Sequence, residues 1–433
     1  MKIGLDISSL QGYHRMRGIG AVANNIIKNL PHDSDHTFVF YLYKDSPITG
    51  EEIMKSTHLP KDLYEFRDIV PNPKNNQQLP GRLRYISKAF KVRRLLNGFR
   101  FGSEKFINTQ DLDAFIQLDQ SEPMAKLRYG ARNYFIGYDL IPYVLEHDYL
   151  KNYKSARLFG MSRRAALKTA IRRYLYIFKL RLNSKNAYKI FSISDTTKRD
   201  FVKYLRLNPK KVETIPLGIA SVSAKPLAEI KDIEIVDRYH ETLWGYITKK
   251  ESLAGKKFLL FVGGVDSRRR LEDLVTAFNH LRAQGEDIKL VLTGDIMLGP
   301  KAITTDIASR ALASSSYLDD VYFLGYISNE LKEWLFAHAL AFVFPSVYEG
   351  FGLPVLEVMA KHTPVISYEN DAVKEIAQDY PIYANDALSI IDGVKYIEEN
   401  TEEIHEKLDA ASAYAAELTW KKTVESILSK IEN

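Results

Sequence analysis

The chain has no cysteine among its 433 residues. Disulfides and thiolate metal sites are therefore excluded, which fits a reducing compartment. No run of about 18 apolar residues occurs, so no helix that could span a bilayer is expected. The opening "MKIGLDISSL" holds one lysine and then reads as a strand. It lacks the charged-then-apolar order of a secretory leader. Low-complexity tracts and short repeats are missing too. Nor is there a dense Asp/His cluster of the kind that holds a metal, and the reading is of a site with no metal and no cofactor.

Acidic residues are missing from two particular stretches. Between Lys151 and Ser194 there are twelve Lys or Arg and no Asp or Glu, and between Arg82 and Ser103 there are seven and none. The net charge is +6, so the rest of the chain is acidic. Basic segments on an acidic remainder point to a face attracted to an anionic surface. The tract "ARLFGMSRRAALKTAIRRYLYIFKLRLNSK" also carries Leu158, Phe159, Leu167, Ile171, Leu175, Ile177 and Phe178. Basic and apolar residues together suit an anionic membrane surface. No nucleic-acid recognition module is present, and no nucleic-acid partner is expected.

At 433 residues, 45% of them hydrophobic, the chain is long enough for more than one core. The first half opens with a strand, "KIGLDISS", then the turn "RGIG", then a helix from Ala21 with Val22, Ile26, Ile27 and Leu30 at helical spacing. "HTFVFYLYK" is a second strand. Pro47 to Phe106 is poorly patterned and includes the loop-like "PNPKNNQQLPG". "ARNYFIGYDLIP" is a strand emptying into a loop. "AYKIFSISDTTKRDFVKYLRLNPKKVETIPLGI" reads as strand, helix capped at Ser194 or Asp195, and strand. Ala220 to Gly255 is irregular and is read as a linker, with an inner helix beginning near Ile235.

The second half alternates cleanly. "KKFLLFVGGV", "IKLVLTGD", "VYFLGY", "LAFVFPS" and "TPVISY" are strands, and "LEDLVTAFNHLRA" and "SNELKEWLFAHA" are helices. Continuously apolar strands alternating with helices imply a parallel sheet covered on both faces. The fold class is α/β, as two successive parallel-sheet halves. Such halves facing one another leave a cleft at the strand C-terminal ends, where open α/β sheets bind ligands.

One segment concentrates the chemistry. "FVFPSVYEGFGLPVLEVMAKHTPVI", from Phe342 to Ile366, is a buried strand, a loop, and a helix led by Pro354, whose missing N–H costs nothing in a first turn. Gly350 and Gly352 let backbone approach a ligand, and the amides of a helix start favour an anion such as phosphate. Glu357 is placed in the first turn, as an acceptor for a ribose diol, and Glu349 on the loop as an acceptor for sugar hydroxyls. "GGVDSRRRLEDL" adds Arg268, Arg269 and Arg270 after another strand. Guanidinium suits phosphate oxygens, and three cations at a helix start call for an anion, because that end disfavours positive charge.

These segments together resemble the retaining family 4 glycosyltransferases of the GT-B fold, the glycosyl transferases group 1. Glu349 and Glu357 match the family's E-x7-E motif. "VGGVDSRRRLEDL" matches its phosphate-binding segment, "YDLIP" at Tyr138 to Pro142 its "HDL-P" loop, and Gly18-Ile19-Gly20 its glycine loop before a helix. "FSISDTTKRDFVKYL" and "IPLGI" resemble the strand, helix and turn before the hinge.

The resemblance implies two Rossmann-like parallel-sheet domains facing a central cleft. Residues 1–218 would bind the acceptor, joined by a returning C-terminal helix over 411–433. Residues 219–255 would be the linker and 256–410 the nucleotide-sugar domain. It implies a retaining hexosyltransferase using a UDP- or GDP-sugar, with a glycan, lipid-linked or glycoprotein acceptor. Glu349, Arg269 and Asp139 would be catalytic. Glu357, Arg268, Gly350, Phe351, Gly352, Leu353, Gly20, Tyr138 and Gly264 would bind the donor.

This sequence departs from the family at three places: Gly264 stands where an arginine is common, Tyr138 where histidine is, and His362 where glycine is. Those departures leave two other readings: a non-catalytic GT-B partner subunit, and a nucleotide-sugar epimerase or phosphorylase on the same architecture. The localisation read from the sequence is cytoplasmic, peripheral at the inner face of the cell membrane.

Overall fold

The computed structural model describes the chain except for residues 13–14, 16–17, 34, 56, 58, 72–104, 121–125, 128–129, 220–233, 237–249, 254, 265, 295–314, 326 and 433. It divides into two units, 1–218 with 420–433, and 219–419. The basic stretch from Arg82 to Ser103 lies outside the described residues.

The first unit is built on seven strands: β1 (Lys2–Asp6), β2 (Thr37–Leu42), β3 (Tyr64–Asp68), β4 (Ala114–Gln117), β5 (Arg132–Gly137), β6 (Lys189–Ser192) and β7 (Val212–Thr214). They lie in the order β7-β6-β5-β4-β1-β2-β3, every pair parallel. The central strands are apolar along their length because both faces are covered: Ile3, Leu5, Phe38, Phe40, Phe115 and Tyr134 are all buried.

Helix α1 spans Gly18–Lys28, so the glycines expected in a turn before the helix are its first turn. Amides there need no intrahelical partner, so glycine can start a helix. Helix α2 is the 24-residue Arg163–Asn186, and α3 is Asp195–Leu205. Ser194 caps α3, accepting from the Thr197 amide at 3.0 Å.

The second unit holds β8 (Lys257–Val262), β9 (Ile288–Thr293), β10 (Val321–Gly325), β11 (Ala341–Phe344), β12 (Val365–Tyr368) and β13 (Ile382–Ala384). The order is β10-β9-β8-β11-β12-β13, all parallel. This is the doubly wound order, which reverses direction between β8 and β11. At such a switch point the two flanking connections leave to opposite faces and open a crevice at the strand C-termini. Helices α4 (Leu271–Ala283), α5 (Asn329–His338), α6 (Leu353–Met359) and α7 (Asp371–Ala377) cover the sheet with α8 (Ala387–Glu399). Leu274, Val275 and Phe278 of α4 share a core with Leu259, Phe261 and Leu290.

Two expectations are corrected. Ile235 lies in a short strand, Glu234–Val236, paired antiparallel with Lys250–Ser252, and not at the start of a helix. The returning helix does not begin at 411: α9 runs through Thr401–Glu417 and belongs to the second unit, and α10 (Trp420–Glu432) belongs to the first. Leu418 and Thr419 break the helical run, so one long polar stretch becomes two helices. On α10, Trp420, Val424, Ile427, Leu428 and Ile431 are buried. Thr423 Oγ1 donates to the Pro216 carbonyl at 2.9 Å, and Lys430 pairs with Glu213 at 2.8 Å.

Candidate functional site

The two loops that leave the switch point of the second unit are tied together. After β8 the chain passes Gly263 and Gly264 into a single 3-10 turn, Ser267–Arg269. After β11 it passes Pro345 to Gly352. The Val347 amide donates to the Arg268 carbonyl at 2.8 Å, so the arginine turn and the glutamate loop hold each other in register.

Arg268 and Arg269 both reach Glu349. Arg268 Nη2 lies 3.2 Å from Glu349 Oε1, and Arg269 Nε lies 3.4 Å from the same oxygen. The side chains are 11%, 17% and 11% exposed for Arg268, Arg269 and Glu349, so this is a nearly dry cluster. Asp266 completes it: its Oδ2 accepts from Arg268 Nη1 at 2.6 Å, and its side chain caps the arginine turn. Arg268 Nε also donates to the Tyr348 carbonyl at 3.2 Å. Ser346, fully buried, donates its hydroxyl to Glu349 Oε1 at 2.9 Å. The Ser346 carbonyl in turn accepts from Asn370 Nδ2 at 2.8 Å.

Burial by itself pushes the Glu349 carboxyl up. The Arg268 and Arg269 charges and the Ser346 hydroxyl outweigh that and hold it below its ordinary value, so it is ionised near neutrality. Burial, and the Arg268 charge beside it, pull the Arg269 guanidinium down, with Glu349 and Asp266 opposing.

The glycine at 263 is required by Arg269. A Cβ built there falls 2.0 Å from Arg269 Nη1, and φ is +142°, a conformation that side chains other than hydrogen rarely adopt. Arg269 Nη1 donates to the Gly264 carbonyl at 3.1 Å. Gly264, where the family often places a second arginine, thus orients Arg269 through its backbone. Arg269 Nη2 makes no hydrogen bond among the described residues.

Three sequence expectations need correction here. Arg270 does not join the cluster: it adopts φ +35° as the residue before α4, and its side chain, 44% exposed, meets Glu272 at 3.5 Å. The left-handed turn swings it away from its two neighbours. Glu357 is the fifth residue of α6, not part of its first turn, because the helix already starts at Leu353, after Gly352 at φ +111°. It pairs with Lys332 of α5 at 3.1 Å, both about a quarter exposed. Tyr138 is buried, and its hydroxyl donates to the Leu118 carbonyl at 2.7 Å; burial raises its pKa well above the usual phenol value. Its hydroxyl is committed to the core of the first unit and not presented to a sugar.

The remaining expected residues fall as follows. Gly350, Phe351, Gly352 and Leu353 form the loop and first residue of α6, with Phe351 4% exposed. Asp139 sits at a turn in the first unit, where its Oδ1 accepts from the Ile141 amide at 3.0 Å and its carbonyl accepts from Gln120 Nε2 at 2.8 Å. Gly20 lies in α1 of the same unit. His362 is a surface residue with φ +56°, 3.2 Å from Asp409. Sequence reading passed over Asp266, Ser346, Lys332, Asn370 and Gly263. Of these, Ser346 and Asp266 stand inside the quoted motifs; Lys332 and Asn370 lie on elements that the motif does not include. Among the described residues no group of three or more His, Cys, Asp or Glu could hold a metal ion.

Residues 246–417 match the family model described as glycosyl transferases group 1. The match covers about two fifths of the chain and most of the second unit. It contains the whole Arg268–Arg269–Glu349 cluster. The chain is similar to O-antigen chain mannosyltransferase B of Escherichia coli, 24% identical over 200 residues, covering 46% of this chain and 48% of that protein. It is similar also to the serotype-specific mannosyltransferase WbdA of Escherichia coli, 29% identical over 182 residues, 42% of this chain and 22% of that one. The aligned stretch therefore spans about half the length of the first relative and about a fifth of the second. Among solved structures, the chain is similar to Anabaena HepE in complex with UDP and glucose, with a TM-score of 0.59, 14% identity and 100% and 99% of the two chains covered. WaaG, a glycosyltransferase involved in lipopolysaccharide biosynthesis, matches with a TM-score of 0.56 at 14% identity, over 100% and 99% of the two chains. At such identity the likeness is one of fold: two Rossmann-like α/β units of the GT-B class.

Proposed function

We propose that this chain is a retaining glycosyltransferase that moves a hexose from a nucleotide-diphosphate donor to a glycan or lipid-linked acceptor without a divalent ion. One observation carries the reading: two guanidiniums converge on one buried carboxylate at the switch point of the segment that matches the group 1 model. Arginine recognises phosphate oxygens in pairs of hydrogen bonds, and Arg269 Nη2 is available for one. Glu349, ionised and acceptor-only, suits the hydroxyls of a sugar next to that phosphate. The names of the relatives, an O-antigen chain mannosyltransferase and a serotype-specific mannosyltransferase, favour a mannosyl donor in glycan assembly.

In the reaction, an acceptor hydroxyl oxygen bonds to the anomeric carbon as the bond from that carbon to the diphosphate breaks. The electron pair leaves on the diphosphate, and the hydroxyl proton goes to its oxygen on the same face of the sugar. Arg268 and Arg269 neutralise the charge that develops. Losing one such preorganised donor costs about 3–4 kcal/mol of barrier, or roughly 10²–10³ in rate. Glu357, paired with Lys332, accepts from the nucleoside ribose in this reading. Asp139 enters as a catalytic residue and Gly20 as a donor-binding one, and the reading does not rest on them.

The test is a panel of UDP- and GDP-sugars scored by thermal shift, followed by nucleotide release with a glycan acceptor, with and without chelator. Binding of one donor class, and release that Arg269→Met reduces 100-fold or more while chelator leaves it unchanged, is expected. No shift with any donor at millimolar concentration refutes the reading. Conversion of the donor without an acceptor would assign an epimerase instead.

A further inference from the structure

Helix α2 is anchored along one side only. Ala166, Ile177, Leu180 and Ser184 are buried, and Ile177 and Leu180 pack in one core with Phe135, Leu140, Ile190 and Phe201. A second apolar row runs along the same helix. Leu167, Ile171, Tyr174, Phe178 and Leu182 are spaced 4, 3, 4 and 4 residues apart, which puts them on one stripe roughly 120° round from the buried one. All five are exposed, by 54%, 38%, 61%, 36% and 45%. Tyr174 and Phe178 stack on each other in that stripe, centroids 6.0 Å apart.

Leu158 and Phe159, just before the helix, are 79% and 61% exposed. Among the described residues, ten large apolar side chains are exposed, and nine of them lie between Tyr153 and Tyr188. An apolar surface this concentrated marks an interaction site, where scattered exposure would not.

The same segment decides what covers it. Arg163, Arg164, Lys168, Arg172 and Lys185 of α2 are exposed, and no acidic residue occurs from Lys151 to Ser194. A second copy of the chain would bring the same positive face against it, which charge repulsion opposes. A nucleic-acid backbone would use the charge and leave the aliphatic row in water. An anionic bilayer uses both: headgroups meet the basic flanks, and the row enters the acyl boundary, as for helices that lie in the plane of a membrane. Among the described residues no helix is long and apolar enough to cross a membrane, so the contact is one of surface.

We propose that the outer face of α2, with Leu158 and Phe159, docks the first unit on an anionic lipid bilayer. At 24 residues the helix extends about 36 Å, a contact line long enough for several headgroups. The proposal stands apart from the donor site, and its test reads no sugar transfer.

The test is flotation with vesicles of phosphatidylcholine alone and of phosphatidylcholine with a third phosphatidylglycerol, at low and high salt. The full chain should bind the anionic vesicles, not the neutral ones, and less at high salt. Ile171→Ser with Phe178→Ser, and separately Lys168→Glu with Arg172→Glu, should each weaken binding about tenfold or more. These side chains are exposed, so both variants should melt with the wild type. No binding to anionic vesicles overturns the proposal. Wild-type binding by the serine variant overturns it in favour of a purely ionic contact, as to nucleic acid. A wild-type dimer that the serine variant makes monomeric overturns it in favour of a second copy.

Discussion

Removing Glu349 should cost the second unit much of its stability, and an added anion should return part of it. Glu349→Ala deletes the carboxylate that both guanidiniums reach, at 3.2 and 3.4 Å. Arg268 keeps Asp266 at 2.6 Å. Arg269, 17% exposed, loses the only carboxylate within ion-pairing distance among the described residues. Breaking a buried pair from one side costs about 3–5 kcal/mol. Because Asp266 still serves Arg268, the expectation is the lower end, about 3 kcal/mol. In a unit of this size that is a Tm lower by about 6–12 °C. Glu349→Gln keeps the volume and an acceptor for Ser346 but not the charge, so it should fall between.

Acid should remove the difference between wild type and variant. The folded carboxyl lies below its ordinary value of 4.5, so its contribution is present in full above about pH 4.5. It is lost as the pH falls through the lower folded value. The assay is thermal and urea unfolding, with and without inorganic pyrophosphate. Pyrophosphate should raise the Tm of Glu349→Ala more than that of the wild type, since the anion fills the place of the carboxylate. A variant that melts within 1 °C of wild type (about 0.3 kcal/mol by the same scaling) refutes the buried pair. Equal shifts in both proteins refute the arginines as the anion site.

Gly263→Ala should lower donor affinity and stability together. The added methyl meets the movable end of Arg269, and φ +142° strains any side chain there; calorimetry should show donor affinity lowered at least tenfold in the folded variant, whereas a rise or no change sinks the account of that close approach. Ile431→Ala, at a side chain 0% exposed on α10, should lower the stability of the first unit by about 2–5 kcal/mol, read by urea unfolding; an effect below about 1 kcal/mol would mean that α10 is not docked. Lys332→Met removes an ion pair whose members are 27% and 26% exposed, so stability should change by less than about 1 kcal/mol. Donor affinity should still shift, because Glu357 is released; unchanged affinity for every nucleotide refutes the assignment of Glu357 to the ribose.

What could be read from the sequence is what depends on local pattern. Phe258 to Phe261 and Ala341 to Phe344 are uninterrupted apolar runs because both faces of their strands are buried, and that signal needs no partner. Ser194 announces α3 by capping chemistry, and Pro354 announces α6. What failed depends on distant partners or on edges. The strand Tyr64–Asp68, "YEFRD", sits at the end of the sheet and is only part-buried, so its apolar content is diluted. The strand Ala114–Gln117 is four residues long, too short to stand out. The identity of Glu357's partner is unreadable, since Lys332 is 25 positions away on another helix. Tyr138 misled because a tyrosine at a strand end reads alike whether its hydroxyl finds solvent or, as here, the Leu118 carbonyl.

The charges of the cluster also constrain its ligand. Asp266 and Glu349 carry two negative charges against the two positive charges of Arg268 and Arg269, so the cluster is formally neutral, and that is what lets it remain nearly dry. A bare phosphate gains the guanidiniums but meets the Glu349 carboxylate, whose depressed pKa means that it does not readily take up a proton to relieve the clash. A neutral sugar finds the carboxylate already occupied by two cations. A ligand that carries both parts at once lets each group exchange partners: the guanidiniums turn to phosphate oxygens while Glu349 accepts from hydroxyls. Each exchange removes the obstacle to the other, so the two halves of a nucleotide-diphosphate sugar should bind with positive coupling, more tightly than the product of their separate affinities in the same site predicts. On the proposed function, the pairing of opposite charges within the cluster would therefore select against either fragment alone, at the expense of affinity for both.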